Sequence, residues 1–530
     1  MRGFVLVNGR IYVSFKPTIS VEAAVVVGSR VFHTGNEPMA LSMARALNLD
    51  VVDLSGRTVL PGFIDAHMHL DSLGACLNSL DLRGVKSIDE LKNRLEEYVA
   101  ECRDPWVLGH GWDQELFEEN RYPTRLDLDE AVGDRPVVLT RVCGHAAVLN
   151  TKALELTGLL HSSIPEVLKD DSGLPTGVIV EKALETVRSM VEEQTTFEER
   201  KKLLMKALRF SASQGVTTVG FVSCSSTSFK ALKKLEAGLR NLPVRVRVYL
   251  GPEEARVLWN LGLKSGSGSA FLKTNGVKLF ADGSLGARTA FLSEPYSDAP
   301  ETSGYVSTDE DSLRAMVEEA CESGMQVAVH AIGDKAVENT LKAFEAVGED
   351  SGRLRFRVDH ASVLRRDLIE KMRRLGVVAV VQPHFIVTDW WVVSRVGVER
   401  ARFTYPFKTL AENVKLGFST DAPVEPLNPW KTVYAAVTRG RREETPLYKH
   451  TMDECLMLEE ALHIYTEGSA YALLEENELG ALSEGKLADF IIVDEDPFNI
   501  PLEEVGRIKL LATYVDGCHV FPGGVNGADD

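Results

Sequence analysis

The 530-residue chain lacks several features that mark specialised classes of protein. No apolar run reaches about 18 residues, so the sequence predicts no transmembrane helix. The N-terminal residues do not have the charged and then apolar layout of a signal peptide. The seven cysteines are scattered without a CxxC pair, which favours reduced thiols over a disulfide framework. We therefore expect a cytoplasmic protein.

Positive charge is also in short supply. The chain has 59 Lys and Arg residues against 77 Asp and Glu residues, which gives a net charge of −18. A polyanion such as nucleic acid, or an anionic membrane, would be repelled by this excess. Because 44% of the residues are hydrophobic, the chain has ample material for a core. We expect a small-molecule substrate, with no nucleic-acid or membrane partner.

Both ends of the chain are rich in short β-strands separated by turns. At the N-terminus an Asn-Gly turn separates two β-rich runs, FVLV and RIYV, which is a strong hairpin signal. The C-terminal stretches GKLADFIIVDEDP and IKLLATYVDGCHVFPGG have the same character. We predict that residues 1–60 and 476–530 together form one small β-sandwich.

Residues 61–475 alternate apolar β-branched runs with amphipathic helices, a pattern typical of an α/β protein with a parallel sheet. Eight such units favour a closed (β/α)8 TIM-type barrel. Roughly 140 residues separate the first strand from Val216, and a structureless connection of that length is implausible. We predict an inserted subdomain at about 75–205, over the barrel mouth. The predicted strands are TVLPGFIDAHMHL, VTTVGFVSC, VRVRVYLG, NGVKLFADG, MQVAVHAIG, RFRVDHAS, VVAVVQPHF and KLGFSTDAP.

Several predicted strands end in histidine, at the face where barrels carry their active sites. His67 and His69 are spaced i, i+2 at the end of the first strand, so their side chains point to the same side. His330 ends QVAVH, and His360 ends FRVDH. The pair His67 and His69 alone is explained equally well by exposed or core histidines, and His330 or His360 alone is better explained as a hydrogen-bonded core histidine. Four of the twelve histidines at equivalent strand ends indicate a metal site.

Two further polar residues follow the same rule. Asp421 comes after the eighth strand, where it is either a turn residue before Ala-Pro or a metal ligand that also accepts a proton. Lys278 lies within GVKLF, where burying an ammonium group is costly. One explanation pairs Lys278 with a carboxylate such as Asp282. The interpretation we favour is a carbamate, formed with CO2, which turns the lysine into an anionic bridge between two metal ions.

These residues and several longer motifs resemble the amidohydrolase superfamily, and within it the YtcJ-like (amidohydrolase 3) branch, which is similar to N-substituted formamide deformylases. The resemblance covers practically the whole chain, and all the metal-ligand positions are filled. The motifs are PGFIDAHMHL, GWDQELF (111–117), PTRLDLDEAVGDRPVVLTRVCGHAAVLNTKALELTG (123–158), GLPTGVIVEKA (173–183), KLFADGSLGARTA (278–290), HAIGDKA (330–336), STDAP and GALSEGKLADFIIVDEDP.

The resemblance implies a centre with one or two divalent metal ions, most simply Zn2+. In it the first metal has His67, His69 and Asp421 as ligands, the second has His330 and His360, and carbamylated Lys278 bridges both. The list of implied metal ligands is therefore His67, His69, Lys278, His330, His360 and Asp421. The resemblance also implies that metal-bound hydroxide attacks an amide, formamide or cyclic amide, with Asp421 as the general base and then as the general acid. Proteins with barrels of this kind are frequently homodimers, so the resemblance is also compatible with a homodimer.

Other predictions concern the rest of the site and the competing functions. His145 and Arg288 are the predicted catalytic residues beyond the metal ligands, and Asp282 and His384 are further candidates for substrate contact or oxyanion stabilisation. The same metal site would also serve an ester, a phosphoester or a deaminated ring carbon. A non-catalytic scaffold would have gaps in its ligand set. A metal-free sugar-processing barrel would need paired carboxylates at strand ends.

Overall fold

The structure is a computed structural model that describes residues 3–141, 146–239 and 241–522. Its contacts divide the chain into two compact units. The first consists of Met1–Leu70 and Ala207–Asp530, and the second is Asp71–Lys206. The candidate site lies entirely within the first unit, so that unit is described first.

A parallel sheet of eight strands, curved into a nearly closed barrel, forms the centre of the first unit. Each strand is hydrogen-bonded to its neighbour in chain order, as predicted from the eight apolar runs. The segment that follows the last strand contacts the first strand, where the Asp421 amide donates to the His67 carbonyl over 3.0 Å. The strands are β1 (Phe63–Met68), β2 (Val216–Cys224), β3 (Arg245–Leu250), β4 (Leu272–Phe280), β5 (Gln326–Ala331), β6 (Arg357–His360), β7 (Val378–Val381) and β8 (Lys415–Phe418).

The first predicted strand is in fact two strands that belong to different sheets. Thr58–Pro61 pairs with strands from the chain ends, and β1 begins after Gly62. A Cβ atom at Gly62 would lie only 2.2 Å from Cγ2 of Thr217, so a residue without a side chain is needed where the backbone passes β2. The apolar pattern runs unbroken through both strands because both are buried, and it therefore does not reveal the boundary.

The strands of the two chain ends form two further sheets. The four-stranded sheet contains Arg30–Gly35, Ala23–Val27, Gly3–Val7 and Asp50–Asp53 in spatial order. The six-stranded sheet contains Cys518–Phe521, Leu510–Val515, Phe490–Val493, Thr58–Pro61, Arg10–Phe15 and Thr18–Val21. A hydrophobic cluster shared by both sheets includes Leu6, Val26, Ile11 and Phe490. N-terminal and C-terminal residues thus contribute to one core.

The second unit, Asp71–Lys206, has its own mixed sheet and its own hydrophobic clusters, one of them around Leu91, Trp112 and Leu139. The spatial order of its strands is Val167–Lys169, Pro175–Val180, Ala146–Leu149, Val137–Arg141, Val107–Trp112 and Leu80–Asp81. Buried side chains alternate with less buried ones along the first four residues of Val107–Trp112. A separate core of this kind is what a compact subdomain requires.

Helices connect the strands, and most of them begin with a side-chain cap or an acidic first turn, as helix N-termini favour. The α-helices are Glu37–Leu47, Leu70–Leu77, Ile88–Glu101, Arg125–Ala131, Thr151–Leu156, Glu181–Gln194, Phe197–Ser213, Ser226–Gly238, Pro252–Asn260, Glu310–Glu322, Asp334–Ala346, Asp350–Arg353, Arg366–Leu375, Phe385–Thr388, Val392–Ala401, Phe407–Asn413, Pro429–Thr438, Tyr448–Thr451, Leu458–His463 and Ser469–Ala472. Among the described residues, none of these helices is long and apolar enough to span a membrane.

Candidate metal centre

Three predicted ligands meet where β1 and β8 end. His67 and His69 extend from β1 on the same side of the chain, and Asp421 follows β8 by three residues. One ligand atom from each of the three lies within 4.8 Å of the others. Oδ1 of Asp421 is 3.2 Å from Nε2 of His67 and 3.2 Å from Nε2 of His69. Their convergence comes from barrel closure, since 352 residues separate His69 from Asp421.

The same Asp421 oxygen is a buried atom without a hydrogen bond, although two ring nitrogens lie so near. Close approach without hydrogen-bond geometry is expected when several ligands surround a common cation. Burial alone would raise the pKa of Asp421, but His67 and His69 outweigh it and hold the pKa well below the ordinary value. The donor set, two imidazoles and one ionised carboxylate, fits a divalent metal ion.

A second carboxylate, Asp359 on β6, orients His67 from behind. Oδ2 of Asp359 accepts a hydrogen bond from Nδ1 of His67 over 2.8 Å and another from Nζ of Lys278 over 2.7 Å. Its other oxygen, Oδ1, accepts two bonds from Arg357, at 3.0 and 2.9 Å. All four side chains are essentially inaccessible to solvent. Because Nδ1 of His67 donates to a carboxylate, Nε2 presents its lone pair to the site.

The charges in this network are balanced inside the barrel. Burial would raise the pKa of Asp359, but Arg357, Lys278 and His67 hold it well below the ordinary value. Burial lowers the pKa of Lys278 in spite of the attraction of Asp359. Asp359, and not the Asp282 named in the alternative explanation, is therefore the carboxylate paired with Lys278. The side chain of Lys278 belongs to the buried cluster, as the sequence predicted.

His330 and His360 each have one ring nitrogen fixed by an acceptor. Nδ1 of His360 donates to the side-chain oxygen of Gln382 over 2.9 Å, and Nε2 of His330 donates to the carbonyl of Gly283 over 2.9 Å. These bonds leave the other nitrogen of each ring with its lone pair. Burial and then the charge of Lys278 lower the pKa of His330 to about 4. The pKa of His360 is lowered well below its usual value, most by burial and next by the charge of His330. Both rings are neutral, the form that binds metal.

Ring contacts connect the four histidines into one group. The ring centroids of His67 and His69 are 5.7 Å apart, those of His67 and His360 are 5.0 Å apart, and those of His330 and His360 are 4.5 Å apart. Lys278 joins the group through Asp359. The structure therefore brings together all six residues predicted as metal ligands. Their roles as ligands remain a prediction.

Of the other predicted site residues, Asp282 contacts the histidine cluster, since its Oδ1 is 3.6 Å from Nε2 of His330. Asp282 accepts backbone hydrogen bonds from Ile332 and Gly333, at 3.0 and 2.8 Å, and burial raises its pKa to about 7. Arg288 forms an ion pair with Asp298 at 2.7 Å, and none of its described contacts is with the histidine cluster. Its catalytic role therefore stays a prediction. His145 lies outside the described residues.

Three functional candidates were missed in the sequence. Asp359 directly precedes His360, Gln382 follows β7, and Glu425 lies four residues beyond Asp421. A signal did exist for Asp359, because Arg357 and Asp359 place opposite charges i, i+2 on a fully buried strand. For Gln382 and Glu425 the sequence offers only their positions after strands, which many loop residues share.

Comparison with known proteins agrees with this geometry. The chain matches the model of the Amidohydrolase family over residues 50–521. It therefore belongs to the amidohydrolase family, and it is a metal-dependent amidohydrolase. The resemblance stated from the sequence motifs is confirmed.

Relatives match along almost the whole chain. The YtcJ protein of Bacillus subtilis (strain 168) is 33% identical, covering 97% of this chain and 98% of its own. The N-substituted formamide deformylase of Arthrobacter pascens is 26% identical, covering 98% of both chains. A solved structure of an uncharacterized metal-dependent hydrolase from Pyrococcus horikoshii OT3 is 41% identical and superposes with a TM-score of 0.85, covering 94% of this chain and 99% of that one.

Proposed function

We propose that the protein hydrolyses a non-peptide C–N bond in an amide, a formamide or a cyclic amide. The observation that carries the proposal is the meeting of His67, His69 and Asp421 within 4.8 Å at the carboxyl ends of the barrel strands. Barrel enzymes place their chemistry at this face. Similarity over 98% of the chain to an N-substituted formamide deformylase supports the bond class.

The residues of the cluster divide into two sets of ligands. His67, His69 and Asp421 would hold one divalent ion, and His330 and His360 would hold a second, with zinc an ion that suits imidazole and carboxylate donors. When bound, such ions act as Lewis acids that activate water and polarise a carbonyl group. The fixed tautomers of His67, His330 and His360 prepare the site for this role before any ion arrives.

Asp421 moves the proton in the reaction. Its carboxylate lies beside the two histidine nitrogens, in position to accept a proton from the attacking water. As the C–N bond breaks, the carboxyl group returns the proton to the departing nitrogen. The amine and the carboxylic acid that result account for all the atoms of the substrate and one water molecule.

Lys278 would react with CO2 to give a carbamate, an anionic group able to serve as a further metal ligand. Burial lowers the pKa of Lys278, which favours the neutral amine that attacks CO2. A new N–C bond forms, the amine loses a proton, and the side chain becomes an anion. In the unmodified chain Asp359 balances the charge of the ammonium group at 2.7 Å.

The test begins with metal content and variants. Purified protein should contain about one to two equivalents of a divalent transition metal by mass spectrometry of the elements. His67→Ala and Asp421→Ala should abolish turnover with the fold intact by circular dichroism. His33→Ala is the matched control, because His33 is also paired with a carboxylate, Glu484, but lies on a terminal strand. Metal-free protein from zinc-replete cells, or full activity in His67→Ala, would contradict the proposal.

The substrate panel should contain N-substituted formamides, N-acyl amino acids and cyclic ureides, with esters and phosphoesters as the competing classes. If an ester or a phosphoester is the preferred substrate, the proposed metal centre stands and the proposed cleavage of a C–N bond is rejected. The carbamate is tested separately by 13C nuclear magnetic resonance after exchange with labelled bicarbonate. A carbamate signal that is absent from Lys278→Arg protein is expected, and a wild-type spectrum without the signal would reject the modification.

A further inference from the structure

A histidine–glutamate pair lies on the loops after β7 and β8, and neither residue has a part in the proposed ligand set. His384 is the residue before the short helix Phe385–Thr388, and Glu425 follows Asp421 by four residues. Nδ1 of His384 and Oε2 of Glu425 form a hydrogen-bonded pair. The side chains are 13% and 4% exposed, so the glutamate is buried behind a partly accessible imidazole.

Both oxygens of Glu425 are used as acceptors. The Thr388 hydroxyl donates to Oε1 over 2.5 Å, while Oε2 faces His384. An ionised carboxylate is an acceptor only, so Nδ1 of His384 is the donor in the pair. Glu425 and Thr388 therefore fix the position of the ring. A buried carboxylate is costly unless it is paired, and this arrangement pairs it twice.

The second nitrogen of the His384 ring is uncommitted. Across residues 3–141, 146–239 and 241–522, Nε2 of His384 has no hydrogen-bond partner, and it is not among the buried polar atoms that lack one. The ring is thus held from one side and open on the other. A histidine needed only for packing would not require an ionised partner to orient it.

Sequence neighbours of the pair are hydrogen-bonded to residues of the metal centre. Gln382, two residues before His384, binds the ring of His360. Val424, the residue before Glu425, donates its amide to the carbonyl of Asp421 over 3.0 Å. The two loops thus leave the barrel from the same rim as the ligands, the rim at which barrel enzymes bind their substrates.

We propose that His384 is a catalytic residue that donates a hydrogen bond from Nε2 to the carbonyl oxygen of the substrate, with Glu425 as its positioning residue. This inference rests on the proposed function and assigns one further contact to it. To donate from Nε2 while Nδ1 is bound to Glu425, the ring must carry a proton on both nitrogens, and the Glu425 carboxylate offsets the positive charge of that form. The bond to the substrate strengthens as negative charge builds on its oxygen during attack. Donors of this kind, when removed, cost about 100-fold to 1000-fold in kcat.

The first experiment compares His384→Gln and Glu425→Gln with the wild type and with the control His33→Gln, all in the metal-loaded protein. His33 has the same Nδ1-to-glutamate bond, at 2.7 Å to Glu484. We expect His384→Gln to lower kcat about 100-fold with little change in KM, and Glu425→Gln to lower it about 10-fold. Metal content and unfolding temperature should match the wild type. A loss of kcat under about 3-fold in His384→Gln, or a loss explained by lost metal, would overturn the proposal.

The second experiment does not depend on turnover. Methylphosphonate, a tetrahedral anion, is titrated into metal-loaded protein by calorimetry, and His384→Gln should bind it about 10-fold more weakly than the wild type or His33→Gln. Equal affinity in His384→Gln and the wild type, or no binding to the wild type, would overturn the proposal. If the anion binds as expected while no amide is hydrolysed, the proposed C–N activity fails and the assignment of His384 stands.

Discussion

Replacing Asp359 with asparagine is the sharpest test of how the buried charges support the metal centre. The substitution keeps the size of the side chain and removes one negative charge that faces Arg357, Lys278 and His67. In asparagine an NH2 group replaces one of the two carboxylate oxygens, and this group cannot accept hydrogen bonds. The hydrogen bonds to at least one of the two oxygens are therefore lost. Lys278 and Arg357 are then left without their common anion in a site closed to solvent.

The expected magnitude follows from these contacts. Removing one partner of a buried ion pair costs about 3–5 kcal/mol, because the remaining charge stays buried. Loss of the group that orients a histidine ligand weakens metal binding by about 10-fold to 100-fold, equivalent to about 1.4–2.8 kcal/mol. Asp359→Asn should therefore show both defects, even though Asp359 is not itself a proposed ligand.

The assay measures metal affinity by competition with a chromogenic chelator and stability by urea unfolding of the metal-free protein. Asp489→Asn is the matched control, since Asp489 is also a buried carboxylate held by an arginine, with Arg245 bonds of 2.7 and 2.9 Å at the start of β3. The control should lose stability and keep its metal affinity. Wild-type metal affinity in Asp359→Asn, or an equal loss in both variants, would refute the reasoning.

Two smaller predictions follow. Gln382→Leu removes the acceptor that fixes the tautomer of His360 and should weaken metal binding about 10-fold in the same chelator assay, whereas Gln382→Glu should restore most of it. Burial raises the pKa of Asp127, but hydrogen bonds from Arg121 and Thr124 outweigh it and bring the pKa to about 2, below the unfolded value of about 3.9. Its stabilisation is thus present above about pH 4 and lost as the pH falls towards 2. Asp127→Asn should cost about 1–2 kcal/mol in urea unfolding at about pH 6 and much less at about pH 2.5, with allowance for the exposure of Arg121; an equal cost at both pH values would contradict the assignment.

The sequence by itself determined the barrel and the residues of its centre. The hydrophobic pattern and the residue composition identify buried parallel strands. Because a strand covered on both faces must be apolar throughout, any polar residue at its end is conspicuous. His330 and His360 are visible for this reason, as is Lys278 within an apolar run. The family resemblance added the expected division of the six residues between two metal ions. The structure brings those six residues together, as their positions at strand ends predicted.

Only the tertiary structure decided which partners hold these residues in place. The hydrogen bond between Asp359 and His67 joins β6 to β1, and no spacing along the chain encodes it. Similarly, nothing local pairs His384 with Glu425, because the contact exists only when the loops that follow the paired strands β7 and β8 lie side by side. The boundary at Gly62 was hidden too, since burial by two different sheets gives the same apolar pattern. The local sequence pattern indicates which residues are buried. Which residues contact each other depends on how strands that are far apart in the chain come together in the fold.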